Sequence, residues 1–340
     1  MTTSPGPSAG ASTCPSCGTE LAPALLACPA CGRLVHAERL KTLAATAERQ
    51  VQAGDLSAGL AAWREALDLL PPTSRQHATV AATVLNLSKQ VDGDSSGTTG
   101  HSRQGRKAAQ GAAGIGVVAA LLGKAKLLIL GLTKASTFLS MLAFAGVYWT
   151  LWGWKFGVGM AVSIYIHEMG HVFALQRYGI KASPPMFIPG FGAVVRLKQY
   201  PADPREDARV GLAGPLWGLG AAAAAYGVYY LTSAPIWAAL AQLGAFINLF
   251  NLIPVWQLDG ARGFHALSRT QRWLVVAVIA VMWVVTSESL LVILLLTAAY
   301  AAWRSRSDGE GDATALWQFA GLVSVLSLMT RIPVPGGALR

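Results

Sequence analysis

The 340-residue chain is 53% hydrophobic and only 13% charged, whereas soluble domains carry about 25% charged residues. This composition excludes a wholly soluble protein and favours a protein that lies largely in the membrane. The net charge of +10 does not by itself indicate nucleic acid binding, because arginine and lysine fall mainly in short loops between apolar segments. That distribution is typical of cytoplasmic loops that contact anionic membrane lipid.

All four cysteines lie near the N-terminus, after a tail (residues 1–13) that we expect to be disordered. They form two CPxCG motifs whose spacing suits one tetrahedral Zn²⁺, with two disulfides as the alternative. The doubled motif resembles the zinc-ribbon family, which implies a closed structural zinc site over residues 14–32 and a cytoplasmic N-terminus. A nucleic acid partner is unfavoured, since no basic, aromatic-rich face surrounds the cysteines. The predicted ligands are Cys14, Cys17, Cys28 and Cys31.

Residues 38–91 have an alanine-rich helical pattern. Asp55, Trp63 and Pro71 resemble the second half of a tetratricopeptide repeat, a unit that normally stacks on others. Residues 14–91 could therefore dock a cytoplasmic protein partner, but a plain helical spacer explains the helical pattern equally well. Residues 92–108 follow as a flexible basic linker rich in glycine, serine and threonine.

The membrane-embedded domain is expected to span residues 109–305 and to contain about six transmembrane segments. Residues 111–132 are apolar but carry two lysines, so we interpret them as an interfacial or tilted helix. Residues 315–329, within a C-terminal segment of uncertain role (306–340), could either span the membrane or lie at its surface. The expected transmembrane segments are 137–152, 156–177, 208–231, 235–253, 273–285 and 290–303.

The second of these segments contains an HExxH motif, formed by His167, Glu168 and His171. Two histidines four residues apart share one face of a helix and can hold one Zn²⁺. The neighbouring carboxylate can then accept a proton from water that the metal activates. Ionisable groups inside a membrane segment are costly and usually functional, although a polar cluster between helices or an ion pathway would use the same residue types.

The distribution of basic residues places the motif in the cytoplasmic half of the membrane. Arginine and lysine follow the second, fourth and sixth segments, so these connections and the N-terminal domains are predicted to be cytoplasmic. His167 lies twelve residues after Lys155, about 18 Å from the outer interface at 1.5 Å per residue. Asp259 follows the cytoplasmic end of the fourth segment at a similar depth, so the sequence allows it to meet the two histidines.

Residues 137–303 resemble the site-2 protease family of intramembrane metalloproteases. After the HExxH motif come a hairpin-like segment (187–193), Ala213-Gly214-Pro215, Asn248-Leu249-Phe250-Asn251, and Leu258-Asp259-Gly260. The resemblance implies that Asp259 is the third ligand of a catalytic zinc and that Glu168 is the general base. It also implies that Asn251 lies near the active site and holds substrate backbone. The Ala213–Pro215 motif is expected to open a further helix.

The chain departs from the family pattern at four positions, none of which is a metal ligand or the base. Trp256 and Gln257 replace prolines that often precede the LDG motif, Ala261 replaces a common glycine, and Gly218 stands where many relatives have asparagine. These differences bear on the shape of the substrate groove.

The sequence therefore predicts a mainly α-helical polytopic membrane protein with a small β-hairpin near the active site, preceded by a zinc ribbon and a short helical domain. The implied function is zinc-dependent hydrolysis of transmembrane substrate proteins in regulated intramembrane proteolysis, with one catalytic and one structural zinc. The expected location is the bacterial inner membrane. The alternative is a proteolytically inactive scaffold that binds client proteins through its cytoplasmic domains.

Overall fold

The described part of the chain forms two units in a computed structural model. It comprises residues 12–22, 25–97, 135–180, 186–188, 192–194, 201, 203–305 and 310–335. Most of the predicted N-terminal tail, most of the predicted linker and the apolar segment 111–132 lie outside these residues. One unit contains Met1–His101 with Arg177–Ile180, and the other contains Ser102–Gln176 with Lys181–Arg340.

The first unit begins with the cysteine motifs and continues into three helices. Two short antiparallel strands, β1 (Ser12–Thr13) and β2 (Glu20–Leu21), flank the first CPxCG motif. Asp55 caps α2 by accepting a hydrogen bond from the Ala58 amide at 3.0 Å. Helix α3 continues through residues 92–97, which the sequence had predicted as linker. The helices are α1 (Ala37–Gln52), α2 (Leu56–Asp68) and α3 (Arg75–Gly97).

The second unit is built from helices, and the mainly α-helical fold class is confirmed. The breaks between helices fall at residues in the left-handed region: Gly153 has φ +86°, and Ser233 and Ser287 have φ near +54° and +53°. The first four helices are α4 (Ala135–Trp152), α5 (Trp154–Arg177), α6 (Pro204–Thr232) and α7 (Pro235–Asn251). The remaining four are α8 (Asp259–His265), α9 (Arg269–Thr286), α10 (Leu290–Arg304) and α11 (Ala313–Met329).

Two helices in the described residues are long and apolar enough to cross a membrane, namely α5 and α9. Three shorter apolar stretches accompany them, at Thr137–Thr150, Leu290–Arg304 and Ala313–Met329. Length and composition alone thus support part of the predicted set of spans.

The core of the second unit holds α6 to α11 together. Leu212, Leu249, Ile279, Leu294 and Phe319 are all buried in one apolar cluster. A second cluster packs α5 against α4 and α7. At the edge of the first cluster, Arg209 of α6 and Asp312 form an ion pair at 2.8 Å, and Asp312 also caps α11. The motif helix is therefore packed on two sides by other helices of its own unit.

The first unit includes Arg177, the last residue of α5, and the three residues that follow it. The Arg64 side chain donates a hydrogen bond to the Tyr178 carbonyl at 2.9 Å, and the Ser57 hydroxyl donates to the Arg177 carbonyl at 2.8 Å. The Arg177 side chain in turn donates to the Val91 carbonyl at 2.6 Å. The short segment Arg177–Ile180 is thus held by polar contacts to α2 and α3.

The predicted hairpin is present in the structure, whereas the predicted helix start at the Gly-Pro motif is not. Strands β3 (Met186–Ile188) and β4 (Gly192–Val194) pair antiparallel, with Phe187 opposite Ala193. The expectation that Ala213–Pro215 opens a helix is wrong, because Pro215 lies inside the 29-residue helix α6. Packed neighbouring helices allow such an internal proline in membrane proteins.

Candidate metal centres

Helices α5 and α8 bring three possible metal ligands together. His167 and His171 lie one turn apart on α5, and Asp259 is the first residue of α8. The Nε2 atoms of the two histidines are 3.2 Å apart. The Asp259 carboxylate lies 3.1 Å from His167 Nε2 through one oxygen and 3.2 Å from His171 Nε2 through the other. Asp259, which is distant in sequence from the two histidines, therefore converges with them on one point.

The spacing of these atoms fits a zinc ion. With bonds of about 2.0–2.1 Å, two ligands of a tetrahedral Zn²⁺ lie about 3.3 Å apart. The distances of 3.1 to 3.2 Å between the three groups are close to that value. Both histidines are buried, and three protein ligands leave a fourth position for water or substrate. The three side chains therefore form an open ligand set and not a closed set of four.

The second nitrogen of each imidazole has a partner that fixes its tautomer. His171 Nδ1 is 2.8 Å from the Val210 carbonyl, which can only accept, so this nitrogen must carry the proton. His167 Nδ1 is 2.7 Å from Asn248 Oδ1, while the Asn248 amide group donates to the Gly244 carbonyl at 2.7 Å. Both Nε2 atoms are consequently unprotonated, which gives each the lone pair that a metal-binding histidine requires.

Helix α6 approaches the two histidines through a glycine. A Cβ atom on Gly214 would lie 2.2 Å from His171 Nε2 and 2.7 Å from His167 Nε2. Any side chain at this position would therefore occupy the space where the ligands converge. The adjacent Pro215 has no N–H to donate to the carbonyl of Gly211, which loosens the helix just beside the site.

Two further predicted residues lie close to this centre. Glu168 is 7% exposed and adjacent in sequence to the first histidine. The side-chain amide nitrogen of Asn251 lies 3.5 Å from His167 Nε2. The structure thus collects His167, Glu168, His171, Asp259 and Asn251 in one buried region at the junction of α5, α7 and α8.

Comparison with known proteins agrees with this geometry. The sequence profile of Peptidase family M50 matches residues 155–235, which include the two histidines, Glu168 and Gly214. Over these residues the chain is similar to this peptidase family, which is the site-2 protease family. Asp259 and Asn251 lie beyond the matched segment, so their place near the two histidines rests on the structure and on the sequence resemblance.

Three relatives carry names of zinc metalloproteases. The zinc metalloprotease MJ0392 of Methanocaldococcus jannaschii is 30% identical over 111 residues, which cover 31% of this chain and 32% of the relative. Rip3 of Mycobacterium tuberculosis is 32% identical over 130 residues, covering 35% and 32%. The chloroplast protein EGY2 of Arabidopsis thaliana is 36% identical over 63 residues, covering 17% and 11%. The alignments thus span about a third or less of each relative, and no solved structure matches this chain significantly.

A second cluster of possible metal ligands lies in the first unit of the chain. The Sγ atoms of Cys14 and Cys31 are 3.7 Å apart, and those of Cys17 and Cys28 are 3.5 Å apart. Disulfide sulfurs would be about 2.05 Å apart, whereas sulfurs around tetrahedral Zn²⁺ with bonds of about 2.3 Å would be about 3.8 Å apart. All four thiols are free, and the observed distances fit zinc rather than two disulfides.

The two CPxCG motifs adopt the same turn. The amides of Gly18 and Gly32 donate to the carbonyls of Cys14 and Cys28, both at 2.9 Å, and both glycines have φ +71°. The Thr19 hydroxyl, 3.2 Å from Cys17 Sγ, acts together with the Thr19 backbone and the neighbouring thiols to lower the pKa of the Cys17 thiol to about 6. A thiol with this pKa is already a thiolate at neutral pH, the form that binds metal.

Sequence reasoning missed the groups that support the metal ligands. Asn248 was noticed only as part of a motif, although a buried amide one turn before Asn251 in an apolar helix is a signal of function. The Val210 carbonyl carries no sequence signal, because every residue has one. The close approach of Gly214 likewise depends on how α6 packs against α5.

Proposed function

We propose that this chain is an intramembrane zinc metalloprotease that hydrolyses peptide bonds of transmembrane substrate proteins, as in regulated intramembrane proteolysis. The observation that carries the proposal is the convergence of two histidine Nε2 atoms and the Asp259 carboxylate at 3.1 to 3.2 Å beside Glu168. The helix that bears the motif is long and apolar enough to cross a membrane.

The metal would be held by His167, His171 and Asp259. When bound there, zinc supplies a Lewis acid that activates water and polarises the scissile carbonyl. The Nδ1 protons of the two histidines, donated to Asn248 and to the Val210 carbonyl, keep both rings turned toward the metal. These hydrogen bonds limit ring rotation, so the ligand geometry exists before substrate arrives.

Glu168 and Asn251 act on water and substrate. The Glu168 carboxylate accepts a proton from the attacking water and returns it to the nitrogen of the leaving amine. The amide of Asn251, 3.5 Å from His167 Nε2, would donate a hydrogen bond to a substrate backbone carbonyl. A transmembrane helix hides its carbonyls in its own hydrogen bonds, so the substrate must unwind locally before it is cut.

The membrane assignment extends to six helices, α4, α5, α6, α7, α9 and α10, with the N-terminus in the cytoplasm of a bacterial inner membrane. Large apolar side chains are exposed on these helices, among them Leu139 at 63%, Val284 at 74% and Leu296 at 65%. Such surfaces are unfavourable in water and suited to contact with lipid. Basic residues follow α5, α7 and α10, as expected for cytoplasmic connections.

The N-terminal unit adds a structural zinc ribbon and a helical domain. Its four thiols are spaced for a closed tetrahedral site, which leaves no position for substrate. We assign residues 14–91 to the binding of a cytoplasmic protein partner, consistent with the tetratricopeptide-like pattern of α1 and α2.

The proposal is tested by comparing the membrane proteomes of cells that carry the native chain, Glu168→Gln or Glu48→Gln. Glu168→Gln removes the base and keeps the metal ligands, whereas Glu48 is an exposed residue of α1 and serves as the control. Single-pass membrane proteins that are substrates should accumulate only with Glu168→Gln, because their cleavage should be slower by about 100-fold or more. Equal proteomes under several stress conditions would reject proteolysis in favour of an inactive scaffold that binds client proteins.

A further inference from the structure

A cavity of about 590 Å³ lies on the second unit, and its lining includes none of the three candidate metal ligands. Its walls come from α8, the first turn of α9, the last turns of α10 and the loop that precedes α8. The lining combines positively charged and aromatic side chains and includes no acidic residue. The residues that matter are Trp256, Phe264, His265, Arg272, Tyr300 and Arg304.

The two arginines of the cavity have no carboxylate partner among the described residues. The Nε of Arg272 donates to the Leu267 carbonyl at 3.1 Å, and its guanidinium lies 5.6 Å from the centre of the Phe264 ring. The guanidinium of Arg304 lies 3.4 Å from the Tyr300 hydroxyl. Other arginines of the same unit, such as Arg209 and Arg262, pair with aspartates. The cavity therefore presents uncompensated positive charge on side chains that neutral groups hold in place.

The opening of the cavity has the composition of a membrane interface. Trp256 is 88% exposed, Tyr300 56% and the neighbouring Trp303 70%, and aromatic side chains of this kind favour the headgroup level. Trp256 also has φ +53°, a conformation that costs energy for a residue other than glycine and that marks functional loops. Leu296, which is 65% exposed, lines the cavity on its apolar side.

We propose that this cavity binds the phosphate group of an anionic membrane phospholipid. Arg272 and Arg304 would donate charge-assisted hydrogen bonds to the phosphate oxygens, with His265 beside them. The aromatic rim would lie among the headgroups, and the acyl chains would run along the apolar surface at Leu296. A free phosphate ion would contact only the cationic side chains. A lipid would contact the cationic side chains, the aromatic rim and the apolar surface at Leu296.

Lipid in this cavity would also stabilise the helix that carries Asp259. Phe264 and His265 are at the end of α8, and Asp259 is its first residue, so the cavity and the candidate metal ligand share one short helix. A bound headgroup would hold α8 between α9 and α10. The site thus provides a means by which anionic lipid supports the metal centre. The inference rests on the proposed membrane embedding and is independent of proteolytic turnover.

The test is native mass spectrometry of the full chain, purified in detergent and exchanged with phosphatidylglycerol or phosphatidylcholine. We expect the native chain to retain one phosphatidylglycerol and not phosphatidylcholine. The double variant Arg272→Gln, Arg304→Gln should retain phosphatidylglycerol at least about tenfold more weakly. Arg269→Gln is the matched control, because Arg269 carries the same charge on the first turn of α9 but does not line the cavity.

Two further controls test whether the double variant folds and whether the bound phosphate belongs to a lipid. Arg304→Gln alone, at an exposed residue, should give a smaller loss in the same direction with the metal content of the native chain. Equal retention in the double variant and in Arg269→Gln would overturn the proposal. Displacement of the lipid by inorganic phosphate would overturn the lipid assignment in favour of a free phosphate site. Loss of proteolysis with intact lipid binding, or the reverse, would separate this inference from the proposed protease function.

Discussion

The two clusters of metal-ligand side chains in this chain are built in opposite ways. The cysteine cluster lies on two short turns with a small apolar core, in which Cys14, Leu21 and Cys28 are the buried members. The histidine–aspartate cluster lies on long packed helices, and each histidine has a partner behind it. The cysteine site uses four ligands and is closed, while the other uses three and has Glu168 beside it.

The difference suits the two roles that we propose for zinc. The cysteine cluster has a small apolar core, so a bound metal would supply folding energy there. The helical cluster is positioned by helices that a large apolar core packs together. A ligand set that is preorganised and open is suited to chemistry, whereas one that is closed is suited to stability.

Among substitutions that keep all three candidate ligands, Gly214→Ala is expected to disturb the geometry of the histidine–aspartate cluster most. The added methyl group would lie 2.2 Å from His171 Nε2, so the ring or the helix must shift. Because misplacement by about 1 Å costs about 100-fold in rate, we expect at least that loss in cleavage of a transmembrane substrate. Gly220→Ala, on the same helix with open space at its Cβ, is the control. Equal cleavage by both variants would contradict the close approach of α6.

The variant Asn248→Leu tests how much the hydrogen bond from His167 Nδ1 to Asn248 contributes to zinc affinity. This change removes the acceptor of the His167 Nδ1 proton and keeps the side-chain volume similar, so zinc affinity should fall by about 10–100-fold. Competition with a chelator measures the affinity. Asn251→Leu should keep zinc affinity and lower cleavage, since Asn251 is assigned to substrate. A loss of zinc affinity in Asn251→Leu but not in Asn248→Leu would reverse these assignments.

The smallest effect concerns the cysteine cluster, in Thr19→Val. The Thr19 hydroxyl is the largest of several hydrogen bonds that lower the pKa of Cys17 to about 6, and its removal should raise that pKa part of the way toward the ordinary thiol value. Protons compete with zinc for the thiolate below the thiol pKa, so acid should release zinc from the variant at higher pH than from the native ribbon. We expect a change of less than about tenfold in affinity at neutral pH. Thr13→Val is the control, and identical acid titrations of both variants would exclude a role for the hydroxyl.

The sequence predicted the helices and the candidate ligands better than it predicted the groups that hydrogen-bond to or pack against those ligands. The apolar segments ended within a few residues of α4 to α7 and α9 to α11, because hydrophobic length and basic flanks determine membrane helices. The depth argument brought Asp259 near the histidines, where the structure places it.

The remaining features depend on tertiary packing. The family resemblance implied that Ala213–Pro215 opens a helix, yet Pro215 lies inside α6, where neighbouring helices allow it. The hydrogen bond from His171 to the Val210 carbonyl involves backbone and leaves no trace in the sequence. The contacts of Arg64 and Ser57 to residues 177–178 join parts of the chain more than 100 residues apart, and no periodic pattern predicts them.

The central claim is that the two clusters bind separate zinc ions and that only the helical one is catalytic. The most direct measurement is the zinc content of the purified full chain, with substrate cleavage, for the native protein, Cys28→Ala and His171→Ala. We predict two zinc ions per native chain and one in each variant, with cleavage lost only in His171→Ala. One zinc in the native chain, or loss of cleavage with both ions retained in His171→Ala, would contradict the claim.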